Sequence, residues 1–347
     1  NLLIALLKNR EEETPLLLII EDAHWLDSAS WALTRLVSRD IPALLLVIAT
    51  RPLADPLPSE YSALLARTST EHLALSTLPP GETLQLVRLR LGVEELPEAV
   101  EELLLEKAGG HPFFSEELAY ALRDAGLLVV ENGSVKLTAD EAELAALSFP
   151  DSIDSVITSR IDLLTPPQQL TLKVASVIGR VFPYRTLYDI HPVAAERTQL
   201  HDQLDTLERL DITPLETPEP DLSYIFKHII TQEVTYNLMS FAQRQGLHQA
   251  IAEWLEQTYR NDLAPYYSLL VYHWTMALGD RYEREDLGAK TIEYLEKAAE
   301  QALDSYVNRE AANYYTELLQ VDDRFGNPVY SQRRARWQRS LGEANLR

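Results

Sequence analysis

The chain contains no cysteine among its 347 residues. This absence excludes a disulfide scaffold, thiolate zinc sites and cysteine nucleophiles. The phosphate-binding loop Gly-x-x-x-x-Gly-Lys-Ser/Thr is also absent, and the first glycine in the chain is Gly81. The eight histidines do not have the His-Glu-x-x-His spacing of zinc enzymes, so we expect no zinc site.

Basic residues are too few to balance the acidic ones. There are 31 Lys and Arg against 53 Asp and Glu, which gives a net charge of -22. Because such a surface repels phosphate backbones and anionic lipid heads, we expect no direct binding to nucleic acid and no membrane binding. No apolar run is long enough to cross a bilayer and no signal peptide is visible, so the expected location is cytoplasmic.

Both ends of the sequence have the composition of interrupted helices. Asn1 leads directly into apolar residues, and the stretch from Leu341 to Arg347 carries no helix stop signal. We therefore expect an interior piece of a longer protein. A hydrophobic content of 46% is enough for two to four domains with cores of their own.

Two apolar runs predict neighbouring strands of a parallel sheet. Residues 16–20 and 43–49 are continuously apolar, and between them Ser28 fits as the cap of a helix that runs through Ser38. Strand, helix and strand joined by short links form a βαβ unit. Strands that are apolar on both faces belong in a sheet covered by helices on both sides.

Polar residues follow each of these strands. Glu21 and Asp22 end the first strand, whereas Thr50 and Arg51 end the second. The carboxyl ends of parallel strands are where α/β sheets bind ligands, and paired carboxylates suit Mg²⁺ and an attacking water. The structural alternatives are acids that cap a helix and a surface turn before Pro52.

The rest of the chain predicts helices with a few short strands. An edge strand is expected at residues 72–75, and three helices that start on proline at residues 80–91, 97–108 and 112–125. Three further helices and a β-hairpin then give a winged-helix pattern at residues 152–164, 166–178, 198–210, 212–213 and 223–226. The last third has a weak signal for helical repeats of the tetratricopeptide type. Helices at residues 289–302 and 308–319 are expected to pair, with small residues at their contact.

An ordered series of motifs resembles the STAND class of AAA-type ATPases. The segment from Glu21 to Asp27 is similar to their Walker B segment, and residues 49–52 resemble the end of their sensor 1 strand. Residues 108–118, Ala-Gly-Gly-His-Pro-Phe-Phe-Ser-Glu-Glu-Leu, resemble a helix start of that class. The closest likeness is to the origin-recognition-like modules attached to class III adenylate or guanylate cyclases, kinases and large transcription activators.

The resemblance implies a role for each matching residue. It implies that Glu21 lies at the Mg²⁺ position. It implies that Asp22 activates the attacking water and contributes to the metal site, and that Thr50 or Arg51 contacts the γ-phosphate. It implies Pro112 near the adenine of bound ATP or ADP. In addition, His228 resembles the histidine of a methionine-histidine-aspartate motif that reaches the β-phosphate of ADP; the alternative is a core histidine bonded to a backbone carbonyl.

The sequence departs from the family pattern in two places. His111 stands where the family has asparagine, and the phosphate loop is missing, so we expect the chain by itself to be inactive. The fold class expected is α/β and then mainly α. The predicted domains are the carboxyl-terminal part of an ATPase core, a helical lid, a winged helix and helical repeats, at residues 1–70, 71–147, 148–228 and 229–347.

Two functions remain open at this point. The first is a nucleotide-dependent switch whose ATP binding and hydrolysis in the parent protein gate an effector domain of the same polypeptide. The second is a non-catalytic signalling scaffold with a degenerate ATPase core, whose helical repeats bind a partner protein. A DNA-binding transcription factor would need a separate basic domain.

Overall fold

A computed structural model describes residues 2–11, 14–131, 134–138, 152–279, 284–324 and 331–346. The described chain is mostly helical with three small sheets. It divides into two compact units, residues 1–76 and 77–347. Among the described helices, none is long and apolar enough to cross a membrane.

The first unit contains the predicted parallel strand–helix–strand arrangement. Its elements are α1 (Leu2–Glu11), β1 (Leu16–Ile20), α2 (Ser28–Asp40), β2 (Leu44–Ile48) and α3 (Ser59–Leu65). The strands pair in parallel from Leu16 opposite Leu44 to Ile20 opposite Ile48. Ser28, the predicted cap of α2, is instead its first residue; the N-cap is Asp27, whose carboxylate accepts a hydrogen bond from the Ser30 amide at 2.6 Å.

The small sheet of this unit buries only one of its faces. One face packs against Trp31 and Leu64, which belong to α2 and α3. On the opposite face Leu17 and Leu45 are 61% and 64% exposed. The prediction of strands covered on both sides is therefore wrong for the described residues, because continuous apolar sequence does not reveal which neighbours are present.

The strand predicted at residues 72–75 is not formed. This stretch has no regular structure, and Leu73 and Leu75 are 75% and 96% exposed. A short segment with alternating apolar residues forms a strand only when its backbone hydrogen-bonds to the edge of another strand. No strand among the described residues pairs with it.

The second unit begins with three helices and a hairpin. They are α4 (Pro80–Leu91), α5 (Glu98–Ala108), α6 (Pro112–Asp124), β3 (Leu128–Glu131) and β4 (Ser134–Leu137). The helices lie within two residues of their predicted bounds, since prolines start them and left-handed Gly92 and Gly109 end two of them. The predicted boundary between residues 147 and 148 lies outside the described residues.

A three-stranded sheet with helices comes next. The elements are α7 (Ile153–Asp162), α8 (Pro166–Ile178), β5 (Val181–Pro183), α9 (Tyr184–Ile190), α10 (Leu200–Arg209), β6 (Leu215–Thr217) and β7 (Ser223–Ile225). The strand order is β5-β7-β6, and both pairings are antiparallel. A hairpin is present as predicted, but its first strand lies at Leu215–Thr217 and not at residues 212–213. Strand β5 and helix α9 were not expected, because three-residue strands and two-turn helices leave little periodicity in a sequence.

The last part of the unit is a run of helices. These are α11 (Ile229–Asn237), α12 (Phe241–Thr258), α13 (Tyr267–Leu278), α14 (Glu285–Asp304), α15 (Asn308–Arg324) and α16 (Ser331–Leu346). Ala298, Ala299 and Ala311 are buried, as expected for small residues that let helices approach closely. Trp337 is buried as well, and its indole N–H donates to Glu296 at 2.7 Å.

Three arginines of α16 are paired within the chain. Arg333 contacts Glu296, Arg334 contacts Asp322 at 2.6 Å, and Arg336 contacts Glu296 and Glu300. This basic cluster therefore stabilises the helix packing and offers little free charge to a phosphate group.

Candidate functional site

The ends of β1 and β2 lie side by side in the first unit. The Ala49 amide donates to the Ile20 carbonyl, and the Ala23 amide donates to the Ala49 carbonyl, each at 2.9 Å. These two bonds fix Glu21 and Asp22 next to the residues that follow β2. The carboxylate pair predicted from the first strand and the polar pair predicted from the second therefore share one edge of the sheet.

Asp22 has a left-handed backbone. Its φ is 51° and its ψ is 37°, a conformation that few residues other than glycine, asparagine and aspartate adopt. The next residue, Ala23, is fully buried and anchors the turn. Glu21 and Asp22 are both exposed, and nothing in the described part of the chain pairs with either carboxylate.

Thr50 and Arg51 complete this edge. The Thr50 hydroxyl donates to the Arg51 carbonyl at 2.9 Å, and the Arg51 side chain is exposed without an ion-pair partner among the described residues. Two carboxylates, a hydroxyl and a guanidinium are the groups that a magnesium-bound phosphate contacts. The donor set fits one face of such a ligand, but it does not include the amides and lysine of a phosphate loop.

A second group of predicted residues lies at the start of α6. Pro112 occupies the first turn, and the imidazole of His111 caps the helix by accepting from the Phe114 amide at 3.3 Å. The histidine thus does the capping that asparagine does at such positions. Gly110 has a φ of 78°, and a β-carbon there would lie 2.3 Å from the Leu78 carbonyl oxygen, so only glycine fits.

His228 lies beside this helix start. Its ring packs on the ring of Phe113, the neighbour of Pro112, with a centroid separation of 3.9 Å. Its Nε2 is buried and has no hydrogen-bond partner among the described residues. Burial and the adjacent Lys227 lower the pKa of His228 to about 4, so the ring is neutral near pH 7. A bond from His228 to a phosphate would therefore come from the N–H of the neutral ring.

The six predicted site residues thus form two groups. Glu21, Asp22, Thr50 and Arg51 share the sheet edge of the first unit. Within the second unit, Pro112 and His228 are neighbours through Phe113. The described residues contain no group of three or more His, Asp or Glu side chains that could hold a metal ion by themselves.

A buried chain of aromatic and imidazole groups was missed by sequence reasoning. The Nδ1 atoms of His248 and His273 are 2.9 Å apart, and the Tyr236 hydroxyl lies 3.0 Å from His248 Nε2. Both histidines are buried, and burial lowers their pKa values to about 4 and about 3. No local pattern in the sequence reveals this pairing, because His273 lies 25 residues from His248 on another helix.

Comparisons with known proteins give a consistent but distant set of relatives. Residues 80–136 match a family model described as "Domain of unknown function (DUF8739)". The chain is 24% identical to "Adenylate cyclase type 10" of Rattus norvegicus over 292 residues, which cover 74% of this chain and 18% of that protein. The Mus musculus protein of the same name is 22% identical over 71% of this chain and 17% of its own length.

Two further matches have no assigned chemistry that transfers to this chain. An uncharacterized protein of Rhizobium meliloti is 28% identical over 246 residues, 68% of this chain and 22% of that protein. A solved STAND protein with a tetratricopeptide repeat sensor, from Pyrococcus horikoshii, aligns with a TM-score of 0.49 and 12% identity over 93% of this chain and 52% of that chain. At this score the structural likeness supports no conclusion. The chain spans less than a quarter of the length of these three curated relatives.

Proposed function

We propose that this chain is part of a nucleotide-dependent signalling switch of the STAND class, in which ATP binding and hydrolysis by the parent protein gate an effector domain of the same polypeptide. The observation that carries the proposal is the shared sheet edge of Glu21, Asp22, Thr50 and Arg51. Distant similarity to adenylate cyclases supports a signalling role.

Each residue has a defined task in this proposal. Glu21 holds Mg²⁺, and Asp22 lies beside it and orients the water that attacks the γ-phosphate. Thr50 or Arg51 contacts that phosphate. These residues would hold Mg-ATP from one side, and the parent must add the phosphate loop that this sequence lacks.

The second unit has the nucleotide-sensing role. Pro112 packs near the adenine, and the neutral N–H of His228 donates to the β-phosphate of ADP in the resting state. Helices α7, α8 and α10 with the sheet β5-β7-β6 form a winged helix. The helices from α12 onward form tetratricopeptide-like repeats that bind a partner protein.

A non-catalytic scaffold is the second candidate, and the missing phosphate loop is the observation that favours it. The two candidates differ in the parent protein. A parent with a Lys-Ser/Thr phosphate loop that binds Mg-ATP supports the switch, whereas a parent without one supports the scaffold.

The proposal predicts distinct defects for the two acids in the full-length parent. Asp22→Asn should lower ATP turnover by about 100-fold or more while ATP still binds, because one transition-state contact is lost. Asparagine adopts a left-handed backbone as readily as aspartate, so the turn should persist. Glu21→Ala should weaken Mg²⁺-dependent binding instead.

The matched control is Asp27→Asn, in the same motif. Asparagine is as good a helix cap as aspartate, so this variant should turn over ATP at the wild-type rate. Steady-state hydrolysis and nucleotide titration with and without Mg²⁺ measure both effects. Turnover by Asp22→Asn close to that of the wild type would show that Asp22 does not orient the water.

A further inference from the structure

Helix α7 belongs to two hydrophobic cores at once. Val156 is fully buried in the core of α4, α5 and α6, whereas Ile157 and Ile161 are buried in the core of the following helices. Ile153 packs against both. Since neighbouring residues of a helix point about 100° apart, one short helix serves two cores on adjacent faces. Any rotation between these cores would expose one face of α7.

Arg160, on the same helix, makes a buried set of ion pairs and hydrogen bonds that we call the lock. The side chain is only 4% exposed and bonds to Glu117 through Nη1 at 2.6 Å, to Asp124 through Nε at 3.0 Å and to the Leu210 carbonyl through Nη2 at 2.6 Å. Glu117 and Asp124 belong to α6, and Leu210 follows α10. A buried guanidinium stripped of such partners is strongly unfavourable, so separation of these elements is opposed.

A second set of charges spans the same boundary. Lys227, which precedes α11, pairs with Asp211 and lies 3.5 Å from Glu116 of α6. The Tyr120 hydroxyl donates to Asp211 at 2.9 Å. Arg90 of α4 reaches Glu116 at 3.0 Å. The two adjacent glutamates of α6 therefore have different partners across this boundary, Lys227 for Glu116 and Arg160 for Glu117.

We propose that residues 80–131 and 152–237 form a single rigid block, with α7 as its shared helix and Arg160 as its lock. The sequence pattern instead divided this stretch into two domains, a lid and a winged helix. In the block, α6, His228 and the strands β5, β6 and β7 move together. A rearrangement in the parent must then take place outside the block. This inference does not depend on nucleotide binding.

Spin-label distance measurements on the chain itself test the block. Because the chain has no cysteine, two introduced cysteines are the only labelling sites. Exposed Glu106 of α5 and Asp205 of α10 are changed to cysteine, which places one label on each side of α7. Glu82→Cys with Glu106→Cys, both within the first three helices, gives the reference width for a rigid pair.

The expected result is one distance distribution as narrow as that of the reference pair. Two populations, or a distribution at least twice as wide, would overturn the rigid block. Adding Arg160→Met should broaden the distribution across α7 and leave the reference pair unchanged. Arg284→Met removes an exposed ion pair with Asp286 and should change neither distance.

A milder variant keeps the test of the lock decisive if Arg160→Met does not fold. Asp124→Asn removes one of the two carboxylates and keeps the Glu117 contact. It should broaden the distribution less than Arg160→Met. If neither variant broadens it, Arg160 is not the lock.

Discussion

At the scale of the residue, His228 is the side chain whose surroundings say most about function. It stacks on Phe113, and its Nε2 is buried without a partner among the described residues. Such a group has an unmade hydrogen bond that costs stability unless a ligand supplies the other atom. The alternative was a core histidine bonded to a backbone carbonyl, but in the described part of the chain no carbonyl bonds to Nε2.

The two interpretations of His228 differ in the full-length parent. As an ADP contact, His228→Ala should speed ADP release by about ten- to a hundredfold, the effect expected for one lost bond to a phosphate. The melting temperature of the nucleotide-free protein should change little. Stopped-flow release of a fluorescent ADP analogue and thermal melts measure the two quantities.

His111→Asn is a suitable control for this variant, because asparagine can also cap α6 and His228 is left intact. Its ADP release should match that of the wild type. A lower melting temperature for His228→Ala with unchanged ADP release would assign His228 to the core.

The buried pair of His248 and His273 predicts loss of stability in acid. Both pKa values are lowered in the folded chain, so the unfolded chain binds more protons below pH 6.5 and stability falls as pH decreases toward 4. Between pH 7.5 and pH 5 we expect each histidine to contribute a loss of about 2 kcal/mol. Urea unfolding at the two pH values measures it.

Substitution separates these histidines from other titrating groups. His248→Gln with His273→Gln should reduce the difference between the two pH values, even if the variant is less stable at both. The exposed His201→Gln should leave the difference unchanged. An undiminished pH dependence in the double variant would contradict the prediction.

At the scale of the element, the open face of the β1–β2 sheet is an apolar surface in contact with solvent. Leu17 lies opposite Leu45 and Ile19 lies opposite Val47, and all four side chains are exposed. Apolar patches of this kind favour association, especially next to an open strand edge.

This face predicts that the isolated chain binds a hydrophobic fluorescent dye in its native state. Leu17→Thr with Leu45→Thr should lower the dye signal and change the free energy of unfolding by only about 0.5 kcal/mol, because both sites are exposed.

The control pair is Leu18→Thr with Leu46→Thr, which are in register on the half-buried face. This pair should lower stability and leave the dye-binding face in place. Equal dye signals in wild type and Leu17→Thr/Leu45→Thr would rule the face out as the dye site.

At the scale of the whole molecule, the charge of the chain disfavours nucleic-acid binding around the three-stranded sheet. The net charge is -22, and five exposed acids lie on the helices beside the three-stranded sheet: Asp154, Asp162, Asp202, Asp205 and Glu208. Carboxylates at a phosphate interface are unfavourable, and Arg333, Arg334 and Arg336 of α16 are already paired.

We therefore expect no binding of a labelled DNA duplex by this chain, even at about 50 mM salt where non-specific electrostatic binding is strongest. Fluorescence anisotropy measures this directly. A variant with Asp202, Asp205 and Glu208 all changed to lysine reverses the local charge and shows whether the geometry could accept DNA. Wild-type binding that weakens steeply with salt would contradict the prediction.

The sequence by itself determined the elements whose signals are local. The strands β1 and β2, the proline-started helices α4 to α6 and the motif at Glu21 and Asp22 follow from apolar runs and capping residues. These features depend on backbone propensity within a few residues, so no distant partner is needed to predict them.

Only the tertiary structure decided how those elements are shared and paired. In the structure one face of the β1–β2 sheet is exposed, and α7 contributes to two hydrophobic cores. Arg160 contacts Glu117, 43 residues away, and His248 contacts His273, 25 residues away. Burial and ion pairing depend on which chain segments meet, and in a single sequence nothing in a charged residue or a histidine records its distant partner. For the same reason, the motif located Asp22, but its left-handed backbone and the adjacent Thr50 emerged only when the two strand ends were placed side by side.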